Sequence, residues 1–145
     1  ASPIEHFTSG EFRSVIGEAQ ELDNKKVKRV ICCAGQVYYD LLAGRSEREI
    51  KEIAIVRIEQ LYPFPADELK AELSKYPNAK EIMWAQEEPR NQGAWHQLRH
   101  RLEDVLEPKQ VLLYAGRPSS ASPAVGYMSK HNAQLKAFVE EAMKM

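Results

Sequence analysis

The chain has 145 residues, the usual size of one domain and enough to bury a core without disulfides or metals. Its 20 Lys and Arg nearly balance 21 Asp and Glu, so a net charge of −1 argues against nucleic acid or an anionic membrane as the main partner. No apolar run reaches the roughly 20 residues a bilayer-spanning helix needs, and no signal-peptide core opens the chain.

Residues 1–26 are mixed and polar, and read as an N-terminal linker with a short strand at most, around Phe12 to Ile16. From Val27 a regular rhythm begins, so 27–145 is expected to be a single α/β domain. "VKRVICCAG" is a β-branched apolar run closed by Gly35, which predicts a buried strand. Its two cysteines, Cys32 and Cys33, are consecutive. Adjacent strand side chains point to opposite faces, so this pair is badly placed to bridge and reads as two small buried hydrophobes. Thiols kept reduced fit a cytoplasmic protein.

"QVYYDLLAG" has helical spacing, with Gly44 as the natural C-cap, and "RSEREIKE" (45–52) reads as a solvated surface run. "IAIVRIEQL" (53–61) is the second strand, and "YPFP" then forces an extended turn. "ADELKAELSKY" predicts a helix with Leu69 and Leu73 on one side. "AKEIMWAQ" (79–86) is the third strand. "NQGAWHQLRHRLEDVLE" carries Trp95, Leu98, Leu102, Val105 and Leu106 on one stripe, the clearest helix in the chain. "QVLLYAG" (110–116) is the fourth strand. After a Ser/Pro loop, "HNAQLKAFVEEAMK" predicts a closing helix with Leu135, Phe138, Val139 and Ala142 on its apolar face. Strand and helix repeated four times predict a three-layer α/β sandwich around a mostly parallel sheet.

Ligands and partners of such sheets meet the loops at the carboxyl ends of the strands. The loop after strand one, "AGQ", is too short for a dinucleotide or phosphate-loop fingerprint, and no Gly-x-Ser-x-Gly elbow occurs. After strand three comes "QEEPRNQGAW" (86–95). Glu87 and Glu88 would face opposite ways, and the positive end of the following helix, capped by Asn91, favours their ionised forms. A general acid needs the reverse shift. Gly93 and Ala94 clear space for another backbone to approach. Glu87, Glu88, Asn91, Gln92 and Trp95 therefore read as an interface turn rather than a catalytic pair. After strand four, Arg117 with Ser119, Ser120 and Ser122 offers a guanidinium and hydroxyls for a phosphate or carboxylate, against the alternative of a plain Ser/Pro connector. Arg117 and Ser119 are the candidate anion contacts. His96 and His100 have the i, i+4 spacing of a metal pair but sit off the apolar stripe with no third ligand, so no metal site is expected.

"CCAGQVYYDLL", "AIVRIEQLYPFP", "QEEPRNQGAW" and "YAGRPSSASPAVGYMSKH" resemble, in order and spacing, the C-terminal domain of the thiamine-diphosphate-dependent 2-oxoglutarate dehydrogenase (decarboxylating) component, from about Phe12 to the end. The resemblance implies a transketolase C-terminal-like fold and a structural and dimerisation role. The enzyme it implies is an oxidoreductase of the tricarboxylic acid cycle that decarboxylates 2-oxoglutarate and succinylates lipoyl groups. It implies thiamine diphosphate and Mg in the full-length enzyme, none in this chain, which is expected to be inactive alone. It also implies a homodimer and a dihydrolipoyl succinyltransferase core as partners, without nucleic acid or membrane. The alternative is a regulatory α/β module binding an adenine nucleotide or acetyl-CoA. Gln36 stands where that pattern commonly has a lysine, and Arg90 falls where it is open.

Overall fold

The structure is a computed structural model that describes residues 14–86, 95–116 and 136–144. Among the described residues five strands form one sheet: β1 (Val15–Ile16), β2 (Arg29–Cys33), β3 (Ile53–Ile58), β4 (Glu81–Gln86) and β5 (Val111–Gly116). Their order across the sheet is β1-β3-β2-β4-β5. The four longer strands are parallel, and β1 alone runs antiparallel, Val15 opposite Ile58 and Ile16 opposite Arg57. The short strand expected around Phe12 to Ile16 is therefore present over its described part.

Helices α1 (Val37–Arg48), α2 (Ala66–Leu73) and α3 (Trp95–Val105) connect the strands, and the closing helix α4 is described over 136–143. Every residue of β2 is buried, as a strand sandwiched between two helical layers requires. Alternation along each strand divides the core in two. Val30, Cys32, Val56, Ile82 and Trp84 pack with Leu69 of α2 and with Trp95, Leu98 and Leu102 of α3. Ile31, Cys33, Ile55, Met83 and Ala115 pack with Val37 and Leu41 of α1 and with Phe138, Val139 and Ala142 of α4. The sequence expectation of a three-layer sandwich holds. So does the divergence of the two cysteines, which are free and lie in different layers.

One boundary differs. Helix α1 does not stop at Gly44 but runs on to Arg48, and Glu49 takes the left-handed C-cap conformation (φ 50°, ψ 39°) with its N–H on the carbonyls of Arg45 and Ser46. Gly44 instead makes room: a Cβ there would collide with Val139 of α4. The run 45–52 is accordingly not uniformly solvated, because Arg45 is buried.

Arg29 ties three elements together at the amino ends of the strands. Its Nε donates to Glu81 of β4 (3.0 Å) and its Nη1 to the carbonyl of Ala142 (2.7 Å), so one guanidinium caps the last turn of α4.

Candidate functional site: the carboxyl ends of the strands

From β2 the chain enters α1 in one layer; from β4 it runs on to α3 in the other. Between the carboxyl ends of β2 and β4 the connections diverge, which is where open α/β sheets form their crevice. The segment 34–36 borders it from β2. Gly35 has φ 76°, a conformation that side chains resist, and Gln36 is exposed at the start of α1 without a side-chain capping bond.

On the β3 side the groups are aromatic and cationic. The Arg57 guanidinium carbon lies 5.3 Å from the ring centres of both Tyr38 and Tyr39, and Nη1 donates to the Tyr39 hydroxyl (3.2 Å). Its Nε forms an ion pair with Glu59 at 3.3 Å, without hydrogen-bond alignment. Tyr39 is 54% exposed, so this cation–π cluster has one open face.

On the β4–β5 side, Trp84 is buried and its indole N–H donates to Oε1 of Gln86 (3.0 Å), which fixes a buried carboxamide at the end of β4. Trp95, the first residue of α3, is 4% exposed and stacks on Tyr114 of β5 at 4.8 Å with the rings tilted by 49°. Gly116 leaves room for the Tyr114 side chain, because a Cβ there would collide with its hydroxyl.

Burial works against proton transfer at the two thiols and the Tyr38 phenol here. Burial pushes the Cys33 thiol up strongly, and the Cys32 thiol up to about 12. Thiols held protonated are poor nucleophiles. The Tyr38 phenol is also pushed up, by burial first and then by the charge of Glu18.

Of the residues singled out in the sequence, Trp95 is placed where expected, rooted in the core. Glu87, Glu88, Asn91 and Gln92 lie outside the described residues, as do Arg90, Arg117 and Ser119. His96 and His100 are exposed on α3, and among the described residues no three His, Cys, Asp or Glu side chains converge as a metal site. Sequence reasoning missed Arg57 and Gln86. Both lie at or near the carboxyl end of a strand whose apolar run hides a polar residue, and only three-dimensional neighbours distinguish them from solvated surface groups.

A family model described as 2-oxoglutarate dehydrogenase C-terminal matches residues 1–143. The chain belongs to that family. A 2-oxoglutarate dehydrogenase E1 component of Cupriavidus necator is 55% identical over 141 residues, covering 97% of this chain and 15% of the relative. E1 components of Haemophilus influenzae and Coxiella burnetii are 51% and 49% identical, covering 98% and 99% of this chain. The match spans 15% and 16% of those two relatives. The chain thus spans about a seventh of the length of each of these relatives. Among the described residues no helix is long and apolar enough to cross a membrane.

Proposed function

We propose that the chain serves as the C-terminal structural domain of a 2-oxoglutarate dehydrogenase E1 component. The whole enzyme decarboxylates 2-oxoglutarate and passes the succinyl unit to a lipoyl group in the tricarboxylic acid cycle. The observation that carries this reading is the family match over residues 1–143, joined to the small share of each relative that it covers. The role is to support contacts: α3 and β5 hold a rooted Trp95–Tyr114 pair, and Trp95 follows the segment 87–94 directly in the sequence. In this reading Glu87, Glu88, Asn91, Gln92 and Trp95 belong to a homodimer or domain interface. The dihydrolipoyl succinyltransferase core is a partner of the whole enzyme, which works in the cytoplasm. Residues 27–145 act as one unit, to whose sheet 1–26 contributes β1 and the Glu18 side chain.

When bound, thiamine diphosphate with Mg²⁺ would supply a nucleophilic carbon and an electron sink for the decarboxylation. The described residues offer no converging ligands for that metal, so no step of the decarboxylation is assigned to them. We place both in the rest of the enzyme. Calorimetry of the 145-residue chain with thiamine diphosphate and Mg²⁺ should give no binding heat, and saturable binding would overturn the reading. Arg117 and Ser119 are the proposed anion contacts. AMP or acetyl-CoA should raise the melting temperature if they act so, and Arg117→Ala should abolish the rise. No rise with the unaltered chain would leave a scaffold alone.

A further inference from the structure

β3 is covered on its outer edge by a strand of only two residues, yet that edge is satisfied well beyond β1. At its carboxyl end, Glu59 N–H donates to the carbonyl of Ser14 (2.7 Å). Farther down, where β1 has ended, the N–H of Ile55 donates to Oε1 of Glu18 (2.7 Å), and the carbonyl of Ile53 accepts from Nη1 of Arg45 (3.0 Å). The two side chains bind each other as a fork, Nη1 to Oε1 at 2.5 Å and Nη2 to Oε2 at 2.6 Å. Their side chains are 5% and 1% exposed.

We propose that residues 14–22 form a strap over the open edge of β3, locked by the Glu18–Arg45 pair acting in place of a third and fourth strand residue. Release of that lock uncovers the β3 edge while the rest of the sheet stays closed.

The strap is gripped from both helical layers. Arg45 reaches it from α1, whereas Gly17 lies so close to the Glu72 carboxylate of α2 that a Cβ would collide with it. Lys75 holds that carboxylate at 3.1 Å. Glu18 shares a depression with two phenols, Tyr38 of one layer and Tyr76 of the other. Both are pushed up, first by burial, and the charge of Glu18 contributes to each. An exposed strand edge is a template for pairing with another chain, and a buried ion pair is one way to close it without a long strand. No apolar side chain could replace this pair, because it would leave the N–H of Ile55 and the carbonyl of Ile53 unbonded.

Hydrogen exchange on the 145-residue chain tests the lock. Glu18→Gln removes the charge and weakens the acceptor. The amide of Ile55 and those of the strap should then exchange roughly ten-fold faster or more, the loss expected of a charge-assisted bond. The amide of Ile31, in central β2, should keep its protection. Arg45→Lys retains the charge but loses the fork, and should give the same pattern in weaker form. Unchanged exchange at Ile55 in Glu18→Gln would overturn the proposal. So would equal acceleration at Ile31 or loss of the fold in both variants, because the strap would then be inseparable from the core.

Discussion

Trp95 and Arg45 show two ways in which single residues hold this fold. Truncating Trp95 to Ala removes a buried ring and its partner surface on Tyr114, and should cost about 3–5 kcal/mol of unfolding free energy in a denaturant titration. Trp95→Phe should cost less than half of that, since most of the volume remains. Arg45→Met should cost about 3–5 kcal/mol as well, for a different reason: the Glu18 carboxylate stays buried without its counter-charge. A loss under 1 kcal/mol for Arg45→Met would show that Glu18 finds water or another partner. Trp95 was legible in the sequence as the head of an amphipathic stripe. Arg45 was not, because a run of alternating charges looks the same whether one of them is buried or all are solvated. The signal was there in the helical spacing, Arg45 falling four residues after Leu41 on the same side as Val37. A glycine read as a stop concealed it.

That glycine also explains what was legible at the scale of elements. The four long strands and their connecting helices follow from apolar runs alternating with 3.6-residue stripes, and all lie within a few residues of their expected limits. Gly44 misled because glycine serves both as a helix terminator and as a close-packing residue, and only the neighbour decides between them. Here the neighbour is Val139 of α4, which occupies the space a side chain would need. Gly44→Leu should therefore destabilise by about 1–3 kcal/mol through overpacking, even though leucine is the better helix former. Gly44→Leu combined with Val139→Ala should recover part of the loss. A stabilised Gly44→Leu variant would mean that α1 and α4 can separate freely. The antiparallel pairing of β1 was beyond sequence reasoning, since two residues carry no period, and its register depends on side chains that arrive from α1.

At the scale of the whole molecule, the buried thiols and phenols set an alkaline limit. Cys32 rises from 9.0 to about 12 and Tyr76 from 10.0 to about 12, both first through burial. A group with a raised folded-state pKa holds its proton more tightly when folded. Its contribution is complete below the unfolded value and is lost as pH climbs through the folded one. Stability should therefore be level near pH 8 and fall between about pH 9 and 12, read as the urea midpoint across that range. Native protein at pH 8 should leave both cysteines unreacted with a thiol reagent, whereas unfolded protein should react at two.

In the proposed role this domain supports the contacts of a larger enzyme and takes no part in its chemical step. The candidate residues on which that role turns were found in the sequence by the divergence of two neighbouring carboxylates, an argument that needs only strand geometry. The most direct test is single-turnover decarboxylation of 2-oxoglutarate by the full-length enzyme carrying Glu87→Gln or Glu88→Gln, with the dimer followed by sedimentation. The chemical step should stay within a few-fold of the unaltered enzyme, with a weakened dimer or domain contact. A fall of several orders of magnitude in that step, with dimer and fold intact, would contradict the proposed role.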